Sequence, residues 1–498
     1  MIKINKPLNR NTTVISIIVI IIVLITLFFF VLQKMNMVDK KAYRSYVQEL
    51  ETAAEDFTSN QDMMDYLKNW ASEENVLFTT DSAQNIIIAR NASALTTSKP
   101  TVVCVDYNYR TAKTQATAIA AAQSVAKQQI ENAGDTIVVF LNNSRGNHQG
   151  AAGLDTSSLP ADSDIIYLSS ESSLYLSSNS YAANRISYSI PCEMQTRTLN
   201  TGFKIKIEGL PTDEADASIN AGNNPIQLMN TVLSWLKSKT LSFEIGDLKV
   251  GNEGSMYPSS IEFTVLADFS EEEDIINYLD KRIEAFNDNT KDEETKPTYS
   301  YEIIEDESQL PSVVLDPEAI DKFNILLYLI KDGKYAFEDF GEAPEGFEPN
   351  ETCGINSIEQ LYYSDGSLVL TMTTSAYNET ILSEIESDNR KAANLADVTF
   401  RILRSYPSYR AEDTADDLLH RFTALFSKMN SVDAKNIVIK EEEDKGFNAM
   451  SILHAKQPEA AIIHLALPEG DSSTSIRATN TIMNIIASSD RSGILNQF

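Results

Sequence analysis

Two uncharged runs, "TVVCV" beginning at Thr101 and "TIVVFL" beginning at Thr136, flank the alanine-rich stretch "TAKTQATAIAAAQSVAKQQIENAG". No other feature narrows the fold as much. A strand with no polar alternation is buried on both faces, and buried parallel strands need a helical crossover between them. Alanine favours helix and the closing glycine ends it. A third run, "DIIYLSS", follows the same pattern. The expected class is therefore α/β, with helices on both faces of the sheet.

Upstream, residues 40–75 carry apolar side chains at three- and four-residue spacing with acids between them, which predicts helices. From about residue 198 the texture changes. "FKIKIEGL" and "SIEFTVLADF" alternate polar with apolar, and amphipathic helices such as "PIQLMNTVLSWLKSK" lie between them. After Arg410 the α/β style returns. A chain of 498 residues has room for this arrangement. The economical organisation is an α/β domain (45–197 and 411–498) interrupted by an α+β insertion (198–410) of lid or dimerisation type. There is no internal repeat.

At the N-terminus, Val14–Leu32 is nineteen residues without a charge, the length of a transmembrane helix, and no small-residue cleavage site follows it. It is expected to be a retained anchor, with 1–13 a short cytoplasmic tail and 33–44 a juxtamembrane linker. Lys3, Lys6 and Arg10 precede the span, and Lys34, Lys40, Lys41 and Arg44 follow it, so flanking charge is nearly balanced. The short tail and long acidic body favour a cytoplasmic N-terminus and an extracytoplasmic body. With 41 Lys+Arg against 71 Asp+Glu the net charge is −30, which argues against nucleic acid as a partner. Three cysteines are too few for a disulfide framework. This suits a bacterial surface protein.

Several short motifs occur in a telling order: "DSAQN" (Asp81–Asn85), "GAAGLD" (Gly150–Asp155), "DIIYLSSES", "GLPTDEADASINAG" (Gly209–Gly222), "SMYP", "YPSY" and "HAKQPEAA". Together they resemble the aminoacyl-histidine (Xaa-His) dipeptidase branch of the di-zinc metallopeptidases, the kin of carnosinases and aminoacylases. The resemblance covers nearly the whole chain after residue 45. It implies a phosphorylase/hydrolase-like di-zinc exopeptidase domain with an inserted lid.

Carried onto this sequence, the resemblance puts the family's H-x-D at Tyr107 and Tyr109 and its bridging Asp at Lys113. The Glu pair, general base and ligand, falls on Ser144 and Arg145. The next Asp ligand falls on Ser169, the insertion's substrate-contacting His on Glu214, and the last His ligand on Ala466. Two cations of the protein beside a divalent site cost several kcal/mol, so zinc is expected to be absent. Of the four histidines, His148 lies in the turn after Arg145, His464 lies on a strand, His420 lies in a helix, and His454 matches a family histidine outside the ligand set. No H-E-x-x-H or C-x-x-C offers a replacement zinc site, and "NNSRG" lacks the G-x-S-x-G elbow of a serine hydrolase.

The resulting expectation is a membrane-anchored binding or scaffolding pseudoenzyme. In the sharper version Lys113 and Arg145 hold a peptide or protein carboxylate, and Tyr107 and Tyr109 line the pocket. In the plainer version both cations pair with acids such as Glu171 or Glu214. Two alternatives stay open. One is an active metallo-dipeptidase or amidohydrolase with a rearranged site, drawing on His148, His464, Asp106, Glu171 and Glu214. The other is an envelope component that forms homodimers through the insertion.

Overall fold

The structure, a computed structural model, describes residues 37–92, 99–128, 130, 133–146, 148–210, 224–251, 257–290, 297–344, 346–410, 415–433, 437–439, 449–470 and 472–488. The apolar run 14–32, its flanking tail and Glu214 lie outside them. Among the described residues no helix is long and apolar enough to cross a membrane.

Helix α1 (Lys40–Ala53) starts where the Asp39 carboxylate accepts from Lys41 N and Ala42 N, and it buries Tyr43, Tyr46 and Leu50. It overlaps the expected 33–44 linker, because the cap lies at Asp39. Helix α2 (Asn60–Glu73) opens with a Ser59–Asp62 capping box and buries Met63, Leu67 and Trp70. Strands β1 (Thr79–Thr80), β2 (Ile86–Arg90) and β3 (Thr101–Tyr107) follow. Helix α3 (Ala116–Lys127) is buried from Ala116 to Ala126, and its small side chains allow close approach to the sheet. Turns occupy residues 109–115, so the helix is shorter than its alanine-rich text.

Next come β4 (Thr136–Asn142), α4 (Gln149–Gly153), β5 (Asp164–Glu171), β6 (Tyr175–Ser177) and β7 (Asn179–Ser180). The insertion begins with β8 (Ala182–Pro191), β9 (Met194–Thr196) and β10 (Thr201–Glu208). It continues through α5 (Pro225–Ser238), β11 (Phe243–Gly251), β12 (Ser260–Ala267), α6 (Glu272–Thr290) and β13 (Thr298–Ile304). Then come β14 (Val313–Leu315), α7 (Pro317–Leu329), β15 (Gly333–Ala336), β16 (Thr352–Ser364) and β17 (Ser367–Ala376). Helix α8 (Glu379–Leu395) and β18 (Thr399–Tyr406) close it. The return segment holds β19 (Tyr409–Arg410), α9 (Ala415–Asn430), β20 (Val438–Ile439), α10 (Ala449–Lys456), β21 (Ala461–Pro468) and α11 (Ser472–Ser488).

The large sheet has the order β1-β2-β4-β3-β5-β21-β6-β20, with β4, β3, β5 and β21 mutually parallel. The insertion contains a four-stranded sheet, β11-β12-β10-β13, and a five-stranded one, β15-β16-β17-β8-β18. One core joins them: Tyr188, Phe203, Phe263 and Phe323 are fully buried together, each contributing about 1.5–3 kcal/mol.

One expected boundary moves. The first crossing into the insertion falls before β8, near residue 181, rather than at 198. Strand β8 lies between β17 and β18 in its sheet, and most of its residues are buried. Near residue 410, β19 pairs with β7.

Candidate functional site

Open α/β sheets bind ligands beyond the carboxyl ends of their strands, where successive connections diverge. Here β4 lies on one side of β3 and β5 on the other, so that point falls at the ends of β3 and β5. Register fixes which side chains gather there. On β5 and β21, Tyr167 is level with His464 and Ser169 with Ala466. Val105 is level with Leu168, so one step further Asp106 is level with Ser169. Side chains alternate between faces, which places Asp106, Ser169, His464 and Ala466 on one face and Tyr107 on the other.

Two hydrogen-bonded groups occupy this edge. The Asp106 Oδ2 atom lies 2.7 Å from His148 Nδ1 and accepts from Asn143 Nδ2 at 2.8 Å. His148 N donates to Asn143 Oδ1 at 2.7 Å, with His148 in the left-handed region at φ 48°. Asp106 Oδ1 is buried and has no hydrogen-bond partner among the described residues. In the second group Ser169 Oγ lies 2.8 Å from His464 Nε2, and the rings of Tyr167 and Tyr175 stand 5.3 and 5.5 Å from the imidazole. Ser169 Oγ also reaches Glu171 Oε1 at 3.4 Å.

The β4–α4 turn is braced from behind. Asp81 Oδ1 accepts from Ala83 N and Asn85 N, and Asp81 Oδ2 accepts from Asn85 Nδ2. Asn85 then donates to Gly150 O at 2.9 Å and accepts from Asn142 N at 2.9 Å. A Cβ at Gly150 would stand 2.3 Å from Asn142 N, so only glycine fits there. The "DSAQN" and "GAAGLD" motifs therefore meet, and their shared task is to hold this turn.

The other expected site residues are spread out. Tyr107 is buried and donates its hydroxyl to Gln84 O at 2.6 Å; desolvation pushes its pKa up. Tyr109 is half-buried, with the Arg110 guanidinium 5.0 Å from its ring centre. Lys113 is exposed and pairs with Glu55 at 3.4 Å, not with Glu171. Ser144 accepts from Gln149 Nε2 at 2.5 Å, and Arg145 is exposed at the tip of the turn. Ser169 and Ala466 are buried. Asp106, Asn143 and His148 form one polar group at this edge, and Ser169 and His464 form the other. Asp106, His148 and His464 are among the residues weighed for a rearranged site; Asn143 is the one passed over, and strand parity is what sets Asp106 on the face opposite Tyr107.

A pair of zinc ions requires several carboxylate and imidazole ligands at about 2.0–2.2 Å. The described positions that the resemblance assigns to ligands hold phenols, hydroxyls, an ammonium, a guanidinium and a methyl group. Among the described residues no three His, Cys, Asp or Glu side chains gather into a metal-ligating group. This donor set does not fit two ions. A cavity of about 610 Å³ lies elsewhere, in the insertion between α5 and α7, lined by Lys237, Phe243 and Leu315.

The chain resembles the solved aminoacylhistidine dipeptidase of Vibrio alginolyticus, with a TM-score of 0.51 at 12% identity, covering 91% of this chain and 97% of that one. It is also similar to aminopeptidase PepT of Bacillus cereus (TM-score 0.47, 8% identity, 91% and 100% covered). A third similar structure is a hydantoinase/carbamoylase-family amidase of Burkholderia vietnamiensis (TM-score 0.46, 8% identity, 91% and 98% covered). No protein-family model matches the chain. No curated protein matches it in sequence. At these identities the first likeness establishes the fold: a mixed α/β sheet domain interrupted by an insertion.

Proposed function

We propose that this chain is a non-catalytic protein built on the metallopeptidase fold, anchored in the cell membrane by Val14–Leu32 and working outside it as a binding or scaffolding module without zinc. The β5–β21 register supports this reading most directly. Ser169 sits opposite Ala466, both buried, where the resemblance asks for a carboxylate and an imidazole. The nearest imidazole, His464, is hydrogen-bonded to Ser169. Of the nearby carboxylates, Glu171 meets the Ser169 hydroxyl at 3.4 Å and Asp106 is held by His148 and Asn143. With Tyr107 bound to Gln84 O, and of the two expected cations Lys113 paired with Glu55, exposed Arg145 is the one of that pair proposed to meet a peptide or protein carboxylate.

The test is elemental analysis of the purified full-length chain combined with assays on aminoacyl-histidine dipeptides. Zinc, manganese and cobalt far below one equivalent, with no chelator-sensitive hydrolysis, is the expected result. Stoichiometric metal with hydrolysis would establish the alternative, a metal-dependent dipeptidase or amidohydrolase drawing on Asp106, His148 and His464. Substituting Arg145→Glu should then abolish capture of a peptide carboxylate without altering the fold.

A further inference from the structure

Strand β18 is exposed on both faces: from Thr399 to Ser405 only Phe400 is partly covered. It ends the five-stranded sheet, so among the described residues its outer backbone edge has no strand neighbour. An edge of eight residues with unpaired N–H and C=O groups invites another strand. The strand itself is firmly placed. Its inner edge pairs with β8, and Phe400 stands edge-on to Tyr188 at 5.6 Å beneath the Arg390 guanidinium at 4.5 Å. Ile402 and Leu403 are nonetheless 39% and 50% exposed.

Charge narrows the occupant. Arg401 and Arg404 are exposed and form no ion pair among the described residues, in a chain with 41 basic and 71 acidic side chains. Leu403 is an extra, bulged residue, so the β8 residues opposite the two arginines, Ser187 and Arg185, are only two apart. Both arginines therefore face the same side. A straight strand added with the same register would meet them with residues i and i+2, and its residue i+1 would lie on the Ile402 side. A second copy is a poor occupant. In an antiparallel pair centred on the strand, Arg401 would lie opposite Arg404 of the second copy, and like charges directly opposite destabilise a ladder.

We propose that β18 is a docking edge for an extended acidic segment of a partner polypeptide, read as acid–apolar–acid. Ladder hydrogen bonds supply affinity, and the two guanidinium groups supply the choice of partner. This goes beyond the proposed function and does not rest on how the large sheet's edge is read.

The probe is a fluorescein-labelled peptide, TVEVEVT, added to the purified full-length chain, with TVQVQVT as its control. Saturable anisotropy that weakens with salt is expected. Affinity should fall about tenfold or more for the control peptide and for the Arg401→Glu, Arg404→Glu double variant. Both substitutions are on the surface, so an unchanged melting temperature should accompany the loss. Absence of saturable binding, or equal affinity for both peptides, would overturn the proposal. So would a dimer in sedimentation that Leu403→Glu dissolves, because the edge would then belong to a second copy.

Discussion

The edge of the large sheet and the middle of the five-stranded sheet both contain a carboxylate beside a nitrogen base, but they are built differently. At the edge, Asp106 and His148 are partly solvent-accessible, and their neighbours come from one short turn. In the insertion, Glu359 is fully buried, and Arg185 Nη2 approaches it at 2.8 Å. Glu359 is the extra residue of a bulge in β16, which aims its side chain across β17 toward β8. Thr371 and Thr373 also donate to it. Burial raises the Glu359 pKa against the pull of Arg185 and the two hydroxyls. The difference is instructive: the strongly desolvated acid–base pair is enclosed within the insertion, whereas the edge of the large sheet carries hydrogen bonds that close a turn.

That contrast breaks most visibly at Arg185. Arg185→Leu leaves a buried carboxyl without its cation and should cost about 3–5 kcal/mol. Adding Glu359→Leu should restore most of the loss, since an apolar pair of similar volume is tolerated. Because the chain has two structural units, a single melting curve is a poor measure. Hydrogen exchange across β8, β16 and β17 is the appropriate readout, with little change expected in β3 or β4. Asp106→Asn tests the other half. It keeps the shape and removes the charge facing His148, at about 1–2 kcal/mol, with faster exchange confined to the β4–α4 turn. A cost as large as that of Arg185→Leu would make the edge as charge-dependent as the insertion and dissolve the distinction.

How much of this was legible follows the range of the forces involved. The uncharged runs declared β3, β4 and β5, because burial on both faces leaves its mark in consecutive residues. The braces Asp81–Asn85 and Gly150 were legible as motifs, although only the structure shows them in contact. The site residues were harder, since parity decides direction: the resemblance puts its ligand position on Tyr107, while Asp106, weighed only for a rearranged site, leaves the strand on the other face. Lys113 meets Glu55 from the turn after α1, far back in the chain, and Arg185 meets Glu359 across 174 positions through a bulge. Neither contact has a local signature.

A pH-dependent effect concerns Asp332, between α7 and β15, whose carboxylate accepts from Ile358 N at 3.2 Å beside the Glu359 bulge. Burial pushes its pKa from the ordinary 3.8 up to about 7. Below the lower value both folded and unfolded chains hold the proton, and the site has no pH-dependent effect. As pH rises, the unfolded chain releases its proton first, so Asp332 progressively disfavours the folded state until about neutrality. Asp332→Asn keeps the acceptor and removes the penalty. It should stabilise the insertion near pH 8, by an amount that the rise from 3.8 to about 7 caps at roughly 4 kcal/mol, the gain fading toward pH 4. Hydrogen exchange in the insertion, compared between variant and parent at both ends of that range, provides the check. A gain that ignores pH would mean that solvent reaches Asp332 as freely as it reaches the turn at His148, and the insertion would lose its claim to be the drier of the two regions.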